Sequence, residues 1–278
     1  MYNKLISNEH EGIYMPVITL LTDFGLRDGY VGVMKGVIYG IAPEVHIADI
    51  SHAIPPQDVR SGALALKRVA PFFPDGTVHV CVVDPGVGTA RRPIAGQVGS
   101  QFFVAPDNGL VTLLIQRAEE LGEVVKVVHL DKPEYWLGEI SNVFHGRDIF
   151  SPCGAHLATG VPLIDLGTPI QDYVLLDIPQ PERTPQGGWR GQVMEVDYFG
   201  NLATNLRVDV LRGYSNINIQ IGDKSILGLS KTFGDKSAGS LVAYINSDKY
   251  LEIAVVNGSA AQQLNVATND VILVLPSI

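Results

Sequence analysis

The chain has 278 residues, 46% of them apolar, and a formal net charge of -9. That length and apolar content are enough for two domains of ordinary size with a substantial core, and they exclude disorder as the default. With no block of Lys or Arg, the charge excludes a nucleic-acid backbone as partner and suits a small cationic ligand better.

In chain order, residues 1–14 are polar and patternless, the expectation being a tail. They lack the apolar core of a signal peptide, and no run reaches the roughly 18 apolar residues of a membrane helix. A cytoplasmic protein without membrane contact is expected. VITLLTD (Val17 to Asp23) is an apolar run of strand length, and Gly29 to Pro43 places Val31, Met34, Val37 and Ile38 on one face of a helix. VHIADI is a second strand, Gln57 to Val69 a second helix and TVHVCVVD a third strand. This alternation predicts a mostly parallel sheet covered by helices on both faces, with ligands at the carboxyl ends of the strands. Asp23 and Asp84 both close such strands, so they can face one crevice.

Further on, PIAGQVGSQFFVAPDNG reads as a hairpin, LVTLLIQRAEELG as a helix, VVKVVHL as a strand and Asp148 to Thr159 as a helix. The predicted organisation is an α/β domain over residues 15–180, a Pro- and Gly-rich linker over 181–189, and a smaller all-β, barrel-like domain over 190–278. The last rests on RGQVMEVD, INIQIG, SLVAYI, LEIAVV and DVILVLP, short β-type runs separated by turn residues. Cys81 and Cys153 fall within apolar elements and read as buried packing groups rather than a disulfide or a metal pair.

Several short motifs carry chemistry. TDFGLRD (Thr22 to Asp28) holds the DFG triplet of protein kinases, but it comes too early in the chain and without the kinase order. Asp23 reads either as an acceptor for a ribose diol or as a turn aspartate. VVDPGVGTARRP (Val82 to Pro93) matches neither common phosphate loop. It reads either as a turn that swings Arg91 back to Asp84 or as a plain glycine turn with solvated arginines. NVFHGRD sets His145 before a helix, with Arg147 and Asp148 open to a local ion pair. VDYFGNLATN offers Phe199 as a stacking face and Asn201 as a match for a donor-acceptor edge such as that of adenine, or else a β-turn with a buried Phe.

Taken in order, LTDFG, VVDPGVGTARR, APDNG, NVFHGRDIF, VDYFGNLATN and NSDKYLEIAV resemble the S-adenosylmethionine hydroxide adenosyltransferase family, relatives of the S-adenosylmethionine-using fluorinase and chlorinase. The match runs from about Val17 to the C-terminus. The resemblance implies an N-terminal α/β domain and a C-terminal β-barrel, and cleavage of S-adenosylmethionine by water to adenosine and methionine without a metal or separate cofactor. It implies Asp84, Arg91 and His145 as the catalytic set, Asp23 on the ribose diol, and Asp197, Phe199, Asn201 and Ser247 at the methionine end and adenine. It also implies a homotrimer whose sites lie between the N-terminal domain of one chain and the C-terminal domain of the next. Asp248 and Lys249 follow Ser247 where relatives often have a small residue and Gly or Arg, and VVNGSAA lacks an arginine seen in many members.

The chemistry implied is displacement at ribose C5′ with a sulfonium leaving group that needs no acid. The enzyme's task is therefore the nucleophile: water held in line and relieved of a proton. Asp84 and His145 are expected to orient and activate that water, with Arg91 either stabilising hydroxide character or fixing the carboxylate. Alternatives are a halogenase, a non-catalytic adenosine or S-adenosylmethionine sensor, and a metal-dependent hydrolase built on Asp23, Asp84 and His145. Against a halide, an ionised Asp84 is expected to exert a repulsion of about 4 kcal/mol at a separation near 4 Å. Arg92 is expected to be structural or at the surface.

Overall fold

Val17–Thr22 (β1) and Val78–Val82 (β3) are almost wholly buried apolar runs that pair in parallel. Strands covered on both faces need no polar alternation, which is why both read as continuous apolar stretches. The computed structural model describes residues 15–276 except 213 and 215; the tail expected over residues 1–14 lies outside the described residues. The chain divides between Leu176 and Asp177 into two compact units.

In the first unit Tyr30–Ile41 (α1), His46–Ser51 (β2), Val59–Val69 (α2), Pro93–Val98 (β4), Gln101–Pro106 (β5), Thr112–Leu121 (α3), Val125–His129 (β6), Ser151–Ala158 (α4) and Thr168–Ile170 (β7) complete the fold. The sheet order is β2-β1-β3-β5-β4-β6-β7. β2, β1, β3 and β5 are mutually parallel, and β4 runs antiparallel to β5 and β6 as the expected hairpin requires. With β7 antiparallel to β6, five strands share one direction and β4 and β7 oppose it. One face packs Met34, Ile38, Phe150 and Cys153 from the α1 and α4 side against Ile18, Leu20 and Val80. The other packs Leu66 and Ile115 from α2 and α3 against Leu21, Cys81 and Phe103. Leu20 and Leu21 part company because successive strand side chains point to opposite faces. Both cysteines are free and buried, and burial pushes their thiols up, that of Cys153 to about 12.

Helix starts differ from the sequence expectation, α3 opening at Thr112 rather than Leu110. α2 begins at Val59 rather than Gln57, because Gln57 sits at φ 66 and Asp58 caps the helix by accepting from the Ser61 backbone N–H. The helix expected from Asp148 is preceded by a π-turn over Gly146–Phe150, closed by the Ser151 N–H on the Gly146 carbonyl. Pro152 brings no N–H to the next turn, and the Asp148 carbonyl accepts instead from Leu137 N–H at 2.9 Å.

The second unit is antiparallel. Glu182–Arg183 (β8), Trp189–Val196 (β9), Leu202–Arg207 (β10), Ile217–Ile221 (β11), Lys224–Leu227 (β12), Leu241–Ile245 (β13), Tyr250–Val255 (β14), the short helix Ala260–Leu264 (α5) and Val271–Pro276 (β15) follow one another. The order is β12-β11-β15-β9-β10-β14-β13, with β8 beside β9. β9 pairs with β15 through Trp189 to Gln192 and with β10 through Val193 to Val196. Ser230 N–H on the Ala243 carbonyl, 2.7 Å, ties the segment after β12 to β13, so the sheet is nearly closed. Alternate inward residues such as Val193, Leu202, Ile219, Ile253 and Ile272 form its core. β8, β10, β12 and α5 lie outside the predicted runs, β8 within the stretch expected as a linker.

Candidate active site

The loop from β3 to β4 doubles back on itself. Val87 N–H bonds to the Asp84 carbonyl and Thr89 N–H to the Gly86 carbonyl, at 3.3 and 3.2 Å. Gly88 has φ 76, and a Cβ there would stand 2.3 Å from the Asn142 carbonyl oxygen. No side chain fits, so the loop leading to His145 lies directly against this turn. The turn returns Arg91 to Asp84: Nε donates to Oδ1 at 3.0 Å and Nη2 to Oδ2 at 2.5 Å. Nη2 also meets His145 Nδ1 at 3.0 Å. The Arg91 and Asp84 side chains are only 6% and 5% exposed, and the guanidinium lies over the Phe150 ring. Asp84, Arg91 and His145 are thus brought together, with the arginine at the centre.

Behind this turn, Asn108 Nδ2 donates to the Val83 carbonyl at 2.8 Å, and Asn108 Oδ1 accepts from Leu110 N–H. Arg92 donates from Nε to Asp107, from Nη1 to the Asp172 carboxylate and from Nη2 to the Asp172 carbonyl. Its role is therefore structural: it ties the segment after β7 to the PDNG loop, where Asp107 also accepts from Val174 N–H.

An imidazole nitrogen that accepts from a guanidinium must carry a lone pair, which assigns His145 the neutral form with its proton on Nε2. Burial, and then the Arg91 charge, hold this histidine below its ordinary range, against smaller contributions from Asp84 and Asp148. Arg147 and Asp148 form the local pair, at 2.5 Å, and the wholly buried Asp148 also accepts from Ser141 N–H. Among the described residues, Arg91 Nη1 is buried without a hydrogen-bond partner.

Asp23 follows β1, the strand beside β3, and its Oδ2 accepts from Gln57 N–H at 2.8 Å. Phe24, Tyr30 and Phe144 meet edge to face, joining the Asp23 loop to the His145 loop. Among the described residues no three or more His, Cys, Asp or Glu side chains are grouped to hold a metal ion. Asp23, Asp84 and His145 are not gathered into a ligand set, and Asp84 and the His145 lone pair are turned toward Arg91.

In the second unit, Asp197, Phe199 and Asn201 share one turn. Asp197 Oδ1 accepts from the backbone of Phe199 and Asn201, and Oδ2 accepts from Asn201 Nδ2. Asp197 thereby shapes the loop, and Asn201 spends a donor on it. Phe199 is 72% exposed and Tyr198 99%, so the buried-Phe reading of this turn does not hold. Ser247 lies on the exposed turn after β13. Sequence reasoning missed the group beside it: Tyr244 donates to Glu252, which also accepts from Asn246 Nδ2. Burial and then Glu252 push the Tyr244 phenol up, and the Asp197 charge adds to this. Tyr244 and Glu252 are cross-strand neighbours, a relation that needs the register of β13 on β14.

Residues 18–167 match the model of the SAM hydroxide adenosyltransferase N-terminal domain, and residues 191–273 that of the C-terminal domain. The chain is 39% identical over 257 residues to an (R)-S-adenosyl-L-methionine hydrolase of Salinispora arenicola, covering 92% of this chain and 96% of that one. It is 30% identical over 289 residues to a fluorinase of Actinopolyspora mzabensis, covering 90% of this chain and 94% of that one. Among solved structures, an uncharacterized conserved protein from Thermotoga maritima superposes with a TM-score of 0.85 at 38% identity, covering 93% of this chain and 99% of that one.

Proposed function

The chain belongs to the S-adenosylmethionine hydroxide adenosyltransferase family, and from that premise we propose that it hydrolyses S-adenosylmethionine to adenosine and methionine. The C5′–S bond breaks with its electron pair going to sulfur, a C5′–O bond forms to water, and one water proton leaves by way of the Asp84 carboxylate to solvent. Methionine leaves as a neutral thioether, so no acid is required, and the residues act on the nucleophile.

The observation that carries this reading is the orphaned Nη1 of Arg91. Its Nε and Nη2 are committed to Asp84 and His145, and a buried donor left over asks for an acceptor. A water oxygen in line with C5′ supplies one, and the guanidinium favours its hydroxide character as attack proceeds. Asp84 fixes the arginine through two hydrogen bonds and keeps further lone pairs for the water's hydrogens. His145, with its Nδ1 taken by Arg91, orients that residue.

In this reading Asp23 holds the ribose diol, and the Asp197–Asn201 turn with Ser247 meets the methionine end and adenine. Sites shared between copies in a homotrimer are supported by the exposed Tyr198 and Phe199. The test is incubation of the purified protein with S-adenosylmethionine in chloride buffer, resolving products chromatographically. Equal amounts of adenosine and methionine are expected; a 5′-chloro nucleoside rising with chloride, or intact substrate, overturns the proposal.

A further inference from the structure

Outside the Asp84 group, the described residues hold a hydroxyl–imidazole–carboxylate array. Thr22 Oγ1 lies 2.9 Å from His52 Nδ1, His52 Nε2 is 3.1 Å from Asp49 Oδ1, and Asp49 Oδ2 accepts from Lys35 Nζ at 2.6 Å. It resembles a hydrolytic triad but is none: Thr22 is fully buried, and its oxygen already accepts from Phe24 N–H. What the array does is hold the turn that bears Asp23. Thr22 and Phe24, the residues on either side of Asp23, meet at the Thr22 hydroxyl, which leans on the His52 ring. The His52 carbonyl accepts from Gly25 N–H at 2.7 Å, and Gln57 N–H holds the Asp23 carboxylate. These hydrogen bonds between the Asp23 turn and the loop after β2 run through His52 and Gln57.

We infer that His52, backed by Asp49 and Lys35, is a positioning residue that sets the Asp23 carboxylate for the ribose diol; this rests on the ribose assignment above. The charge order supports it. The Asp49 carboxylate beside Nε2 favours the tautomer with its proton there, which leaves the Nδ1 lone pair to accept the Thr22 hydroxyl. That donation frees the Thr22 oxygen lone pairs for Phe24 N–H. His52 is 5% exposed, so its ring is fixed by packing as well. Nε2 and Asp49 are in electrostatic contact without hydrogen-bond alignment, so the Thr22 contact does most of the orienting.

The experiment measures adenosine affinity by calorimetry, and KM and kcat for S-adenosylmethionine, in wild type, His52→Ala, His52→Asn, Asp49→Asn, Asp23→Asn and the His52→Ala/Asp23→Asn pair. A ribose anchor contributes equally to ground and transition state, so His52→Ala is expected to weaken adenosine binding and raise KM about 10-fold with kcat within about 2-fold. Asn at 52 presents an oxygen near the place of Nδ1 and is expected to restore most of the loss. Once Asp23 is Asn, His52→Ala should add less than about 2-fold, because the residue acts through that carboxylate. Should His52→Ala not fold, Asp49→Asn, at a partly exposed site, is expected to raise KM about 3-fold. Unchanged KM in both variants while Asp23→Asn raises it overturns this inference alone, as do additive losses or a fall in kcat without a KM change. Unchanged adenosine affinity and KM in Asp23→Asn overturns the ribose assignment and this inference with it.

Discussion

Replacing Arg91 by Lys separates charge from geometry. The lysine keeps a positive charge for Asp84 but supplies a point donor in place of a planar fork. In the native site one group makes the 3.0 Å and 2.5 Å contacts to Asp84 and the 3.0 Å contact to His145, while Nη1 is left over. If that spare donor meets the developing hydroxide, its loss is equivalent to removing one preorganised oxyanion donor, worth roughly 3 kcal/mol, or about 100-fold in kcat. KM should change little, because the proposed nucleoside and amino-acid contacts lie elsewhere. Steady-state adenosine release at saturating substrate, with thermal unfolding as a control for folding, measures this. A folded Arg91→Lys protein with kcat within about 3-fold of wild type would refute the assignment of Nη1, and leave Arg91 as a mere counter-ion for Asp84.

The other predictions use the same geometry. His145→Asn retains an acceptor for Arg91 and should keep far more kcat than His145→Phe; equal losses would show that the ring is needed for something else. Since His145 is held below its ordinary range, kcat should stay level through neutral pH and fall only below about 6.5, as protonation cancels the acceptor for Arg91; an acid limb above 7 would contradict this. Gly88→Ala, at φ 76 and 2.3 Å from the Asn142 carbonyl, should cost about 1–3 kcal/mol and at least about 10-fold in kcat. Gly122→Ala, at φ 68 in open space, should cost only about 1 kcal/mol with activity intact, and similar kinetics for the two would break the argument from close approach. Finally, His79 is fully buried between Thr19 and Gln101 and pushed down to about 4, chiefly by burial. The unfolded chain then binds the extra proton between about pH 6.5 and 4, so stability is complete above that window and falls through it by about 3 kcal/mol. Urea unfolding at stepped pH should show that slope and His79→Gln should flatten it; a level wild-type curve would refute it.

The N-terminal unit was legible because strands buried on both faces and helices with one apolar face leave unmistakable periodicity. The second unit was less so: in LATNLR (β10) a polar Thr204 points inward and an apolar Ala203 outward, which blurs the alternation of a run of only six residues. At the site, the return of Arg91 to Asp84 was readable as one of two options, since the glycines lie between them within one loop. What no reading of spacing provides is the direction of a hydrogen bond. Asp84 and His145 were expected to act on the water together, and the His145 nitrogen points at a guanidinium 54 positions away. Arg92 likewise gains meaning from Asp107 and from Asp172, the latter separated by 80 positions, and His52 from Thr22, 30 positions earlier.

The pairing also changes why the site would favour water over a halide. An isolated Asp84 would repel a halide by about 4 kcal/mol, but Asp84 is joined to Arg91 by two hydrogen bonds, so the pair is close to neutral and most of that repulsion is cancelled. Arg91 Nη1 by itself would welcome either nucleophile. The difference lies in what each can give: water donates hydrogen bonds and a halide cannot. Asp84, fixed by Arg91 and 5% exposed, keeps lone pairs that a water molecule can satisfy and a halide would leave buried and unpaired, the kind of mismatch by which polar sites discriminate most strongly. The carboxylate then selects water as an acceptor in need of a donor, and the arginine that restrains its charge is what makes that selection one of hydrogen bonding rather than repulsion.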